Sequence, residues 1–233
     1  MSSIRTKRNF KFYLAELLIL VIGITLSFWL NDWREGKAEQ NLEFDTLSQF
    51  RENMKNDSSV MSQNIELLAT YVKTYSDLLL LEKNSLYQDS LSAKLVLVMS
   101  YFNFRPVDIT YQEMQGLGNS RIIQDKALLN GIVELYNGVY GGLKEYLSAD
   151  KNFNLNLMMP FITKNLPYAI NFDFSSFSPA EKRRLMSVIT SDEMKHLIQL
   201  DLVFKSASKV QFELCLNSVS ELLRKIDNEL AED

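Results

Sequence analysis

The chain has 233 residues, of which 46% are hydrophobic and 11% aromatic, and carries a formal net charge of −4. That composition excludes a disordered tail, and the acidic balance leaves no basic surface for nucleic acid. A single cysteine, Cys215, excludes any intrachain disulfide and reads as a small core residue.

The amino terminus is a basic head, residues 1–11, with Arg5, Lys7, Arg8 and Lys11 and no acid. From Phe12 to Leu30 only Glu16 is ionisable, and a helix of that length spans roughly 28 Å, close to a bilayer's hydrocarbon core. Apolar side chains point in every direction, which lipid tolerates and water does not. A cleaved export signal shares this order of head and run. Here, however, the run ends in Trp29, Asn31, Asp32 and Trp33, without a small-x-small cleavage site and with two aromatic residues suited to the membrane interface. The expectation is a transmembrane helix over 12–30, with Trp29, Trp33, Arg5, Lys7, Arg8 and Lys11 as interfacial anchors.

The charge asymmetry across the span predicts a cytoplasmic amino terminus and an extracytoplasmic carboxyl-terminal domain. The head holds +4 and Glu16 −1, so residues 31–233 carry −7. About 200 residues without repeats or a Pro/Gly-rich linker are enough for one folded unit.

Beyond the membrane, Phe44, Leu47, Met54, Met61, Ile65, Leu68, Val72, Tyr75 and Leu79 recur at helical spacing. The anchor is therefore expected to continue outward as one amphipathic helix, weakest at Gly36 and at Asn56-Asp57-Ser58-Ser59. A second helix is expected over 86–102, followed by an extended joint that Pro106 ends. Asp108 or Thr110 caps a short helix stopping at Gly116, and Ser120 or Asp125 starts a longer one through Leu143. Residues 158–176, with two prolines and no helical period, read as an ordered apolar loop.

Ser178-Pro179-Ala180-Glu181 is a capping box with proline at the first helical position. Ser191 starts the last helix, on which Leu197, Leu200, Phe204, Ala207 and Leu214 form a stripe continued by Val219, Leu222, Ile226 and Leu230. At roughly 35 residues it is long enough to pack antiparallel to the post-membrane helix. The fold class is all-α, one transmembrane helix followed by a long-helix antiparallel bundle.

The order Glu16, an aliphatic run with Gly23, then Asn31-Asp32-Trp33-Arg34-Glu35, followed by TYQEMQGLGNSRII at 110–123 and VELYN at 133–137, resembles an uncharacterised bacterial family, a domain of unknown function in single-pass inner-membrane proteins. In that family the anchor usually ends in an Asn-Asn-Trp-Asn-Glu-like string; here Asp32 and Arg34 replace two of the amides. The resemblance is strongest in the anchor and runs more loosely to about residue 140. It implies an anchored helical protein of a Gram-negative cell and transfers no catalytic residue.

Chemical motifs are sparse. His196 is the lone histidine and has no acid in an HExxH or HxxxE frame, so no metal or cofactor is expected. Gly116-Leu117-Gly118-Asn119-Ser120-Arg121 lacks the third glycine and the lysine of a phosphate loop and reads as a turn. The sharper feature is in the membrane: Glu16, Gly23 and Ser27 share one helix face, and Gly23 with Ser27 is a small-xxx-small pair that lets a second helix approach. The plainer reading places Glu16 one turn inside the boundary, reaching the headgroups beside Lys11 or Arg8. The sequence thus predicts a non-enzymatic interaction or assembly protein of the bacterial inner membrane with a periplasmic bundle, its partners the lipid bilayer and either another protein or itself. The alternatives are an accessory subunit of an energised membrane complex using Glu16, and a tethered periplasmic hydrolase.

Overall fold

The computed structural model describes residues 3–83, 90–116, 122–167 and 177–232. The described residues are helical apart from short joints, with no strand among them. The first helix, α1, runs without interruption from Ser3 to Leu79. Gly36 and Asn56-Asp57-Ser58-Ser59 do not break it. Every described side chain from Phe12 to Leu42 is exposed, and burial begins at Glu43. From there Glu43, Leu47, Phe50, Met54, Asp57, Met61, Leu68, Tyr71, Tyr75 and Leu78 turn inward, a three-and-four spacing that keeps one seam facing a partner helix.

That partner is the terminal helix α8, Asp192–Glu232, longer than the sequence predicts. Its inward residues are Met194, Ile198, Asp201, Lys205, Ser208, Phe212, Cys215, Val219, Leu222 and Ile226. Arg51 bonds Asp227 at 2.6 Å and Tyr75 bonds Asp201 at 2.6 Å, so α8 runs antiparallel to α1 as expected. The stripe read from sequence is partly displaced. Val219, Leu222 and Ile226 are buried, but Leu200 and Leu214 are exposed, because Asp201, Lys205 and Ser208 hold the core positions between them.

The remaining helices close the bundle. They are α2, Ser90–Val98; α3, Ile109–Gly116; α4, Lys126–Glu134; α5, Tyr140–Phe153; α6, Met159–Asn165; and α7, Pro179–Ile189. The second helix stops earlier than expected, at Val98, and its predicted start at 86 lies outside the described residues. Asp125 caps α4, its carboxylate accepting from the N–H groups of Ala127 and Leu128. Ser120 lies outside the described residues. α7 opens with the predicted capping box: Ser178 Oγ accepts from Glu181 N–H, and Glu181 Oε2 accepts from Ser178 N–H.

Helices α4, α5 and α6 form one rod whose joints are π-helical turns, Leu135–Val139 and Asn154–Met158. This corrects the loop expected from residue 158: Met159–Asn165 is helix, entered through Pro160. A proline lacks the N–H that would bond one turn back. The widened turn absorbs it, with Met159 N–H reaching Asn154 O. Residues 168–176 of that expected loop lie outside the described residues.

The extended joint after α2 is held by side chains of α1, which satisfy backbone groups a loop would otherwise bury unpaired. Asp57 accepts from Val107 N–H at 3.0 Å and from Tyr140 Oη–H at 2.9 Å, while Tyr136 Oη–H donates to Val107 O at 3.1 Å. Glu43 accepts from Gln124 N–H at 2.6 Å. Tyr111 stacks on Tyr136 with centroids 4.6 Å apart.

Candidate functional site

The chemically densest place in the bundle lies where α1, the joint, α5 and α8 meet. Lys205, Asp150 and Asp201 have no exposed side-chain surface. Burying three charges is costly unless they satisfy one another. Lys205 Nζ donates to Asp150 Oδ1 at 2.6 Å and to Ser100 O at 3.0 Å. Asp201 Oδ1 stands 3.5 Å from the same ammonium, within ion-pair range but without a hydrogen bond. The rings of Tyr71 and Phe102 lie 5.9 and 5.7 Å from Nζ, adding cation–π attraction in a dry setting.

Around this core the neighbours are also fixed. Asp201 Oδ2 accepts from Tyr75 Oη–H at 2.6 Å. Asn154, in the second π-turn, donates from Nδ2 to the carbonyls of Val98 and Ser100. The π-turn therefore sets an amide at the end of α2, where the last carbonyls need donors.

With both carboxylates ionised the three charges sum to −1 in a site without water contact. Burial pushes the Asp201 carboxyl up to about 7 against the opposing pull of Lys205 and the Tyr75 hydroxyl, and the neighbouring Asp150 charge raises it further. A proton on Asp201 brings the cluster to neutrality. Burial first, then the neighbouring Asp201 charge, holds the Tyr75 phenol neutral far above its usual range. The arrangement can store a proton and fix four chain segments, with its three charged side chains closed to solvent.

The residues singled out in the sequence lie elsewhere. Glu16, Gly23 and Ser27 are exposed on α1 and none joins the buried cluster. Ser27 Oγ–H donates to Gly23 O at 2.8 Å, and Gly23 has open space beside its Cα. Leu20, Gly23, Ser27, Phe28 and Asn31 line one shallow groove along the helix. Trp29 and Trp33 are 63% and 55% exposed. The side chains of Arg5, Lys7, Arg8 and Lys11 lie outside those described. His196 is exposed, and Cys215 is a buried thiol pushed by desolvation up to about 11.

Lys205, Asp150 and Asp201 were not found from sequence. The available signal was an i, i+4 acid–base pair, Asp201 and Lys205, falling at core positions of an apolar repeat. Compared with protein-family models, curated proteins and solved structures, the chain matches none of them.

Proposed function

We propose that this chain is a single-pass anchored interaction or assembly protein of the bacterial inner membrane, without enzymatic activity, that holds a rigid periplasmic helical bundle at a set distance from the bilayer. The observation that supports this most is the continuity of α1. Among the described residues one helix is apolar enough to cross a membrane, with none of that stretch buried, and the same helix becomes the central strut of the bundle with no linker. A tether for a freely diffusing enzyme has no need of such continuity; a spacer does. The sealed Lys205 cluster fits the same reading, since charges closed to solvent specify packing.

The head's positive charge sets the amino terminus in the cytoplasm under this reading. A reporter that works only outside the cytoplasm, fused after Asp233, is then active, and a cytoplasmic reporter at the same place is silent. The reverse pattern overturns the topology. The accessory-subunit reading rests on Glu16 alone, an exposed carboxyl in the apolar stretch. Glu16→Gln abolishes cellular function if that reading holds and leaves it intact if the bundle acts as a spacer.

A further inference from the structure

Helix α8 carries a second apolar seam that the bundle does not use. Leu200, Val203, Ala207, Val210 and Leu214 follow steps of three and four on the face opposite Lys205 and Phe212. Val203 is 64% exposed and Leu214 is 52% exposed. Scattered exposed apolar residues are ordinary, but a continuous strip with a polar rim marks an interface. We propose that this strip docks a second copy of this chain in a parallel, two-fold seam, an assembly that rests on the anchored reading above.

Charge is the first reason for choosing a second copy as the occupant. Across a two-fold axis each residue meets its own counterpart, so an unpaired rim charge repels itself. The rim positions Gln199, Ser206 and Gln211 are neutral, and Glu213 is already paired with Lys209 at 2.5 Å. A charged partner would call for a complementary rim, and an anionic membrane surface for lysines on the strip.

Shape is the second reason. Beside the ridge made by Val203 and Val210 runs a groove of about 510 Å³, floored by Ser206 and Ala207 and walled by Tyr146. Ridge and groove lie at the same level of one patch, so a copy's ridge meets this copy's groove and the fit is reciprocal. The third reason is the tether. An unbroken α1 with α8 antiparallel to it presents residues 200–214 of every anchored copy at one height and in one direction. Confinement to the membrane supplies the effective concentration that a seam of two heptads lacks.

The test uses the full chain in its native membrane, with the buried Cys215 left in place. Val203→Cys, Val210→Cys and Leu214→Cys, treated with a short bis-maleimide, are expected to give an adduct of twice the chain mass. Leu67→Cys, also exposed, at 46%, but on α1, is expected to give none. Adding Val203→Lys and Val210→Lys sets like charges face to face and is expected to cut the Leu214→Cys adduct roughly tenfold or more; unchanged helical circular dichroism shows that the variant still folds. Absence of the adduct from a membrane-bound chain, equal adduct at Leu67, or an adduct containing a different protein overturns the second-copy seam. A chain recovered in the soluble fraction overturns the anchor reading, and the seam with it.

Discussion

Lys205 faces two buried carboxyl groups, and removing it separates a structural ion cluster from a decorative one. Lys205→Met leaves Asp150 without its cation and removes one of the two donors to Ser100 O, a change expected to cost about 3–5 kcal/mol because a buried charge loses its counter-ion among the described residues. Thermal unfolding of the full chain in detergent measures this, since for a chain of this size each kcal/mol moves Tm by about 2–4 °C. A near-neutral Lys205→Met would mean that the cluster is not ionised. The pH dependence has a definite sign. Asp201 in the fold holds its proton up to about 7, whereas its ordinary value is 3.8, so between those values the native state binds a proton that the unfolded chain has released. Stability therefore falls as pH rises through that window. Asp57, also raised by burial first, acts in the same direction. Tm is expected to be higher at pH 5 than at pH 7.5, and Asp201→Asn, which still accepts from Tyr75, should flatten most of that slope. A slope unchanged in Asp201→Asn would place the titration elsewhere.

Single helices differ in how openly the sequence announces them. The capping box at 178–181 is local chemistry and is found where it was read. Ser178→Ala removes one acceptor for an otherwise orphaned N–H and is expected to cost about 1 kcal/mol, visible in the same melts. The apolar amino-terminal stretch and its continuation through α1 were legible as helix because apolar residues persist for many turns. On α8 Leu197 and Phe204 pack against the core as read, but Leu200 and Leu214 do not, for a physical reason. Asp201, Lys205 and Ser208 sit where the repeat wants apolar groups, so the period was carried over to Leu200 and Leu214 on the other face. What makes those polar residues tolerable in the core is Asp150 and Tyr75, 55 and 126 residues away in sequence, a pairing that no local pattern contains. The π-turns were hidden for a related reason. A proline at 160 reads as a helix stop until the widened turn ahead of it supplies the missing geometry.

The molecule as a whole depends on a short exposed stretch. Residues 31–42 of α1, NDWREGKAEQNL, are exposed all round, so no packing among the described residues supports the helix between the apolar stretch and the bundle. Few charges there are spaced for mutual support, Glu35 and Glu39 repel at i, i+4, and Gly36 has open space beside it. Gly36→Ala is expected to stabilise the stalk by about 0.5–1 kcal/mol through the unfolded chain's lost freedom, read as slower amide exchange confined to residues 31–42. If this stalk is the spacer's shaft, its length sets the height of everything beyond it. A seven-residue helical insertion after Gly36 makes two turns, keeps the bundle facing nearly the same way, and raises it by roughly 10 Å at the standard rise. Energy transfer from a dye on Leu42→Cys to acceptors in the lipid headgroups reports that height directly. A fall in transfer matching the added length establishes an upright, continuous shaft. Unchanged transfer means that the helix bends or lies along the membrane, and the distance-holding role proposed for the bundle would then fail even if the topology is right.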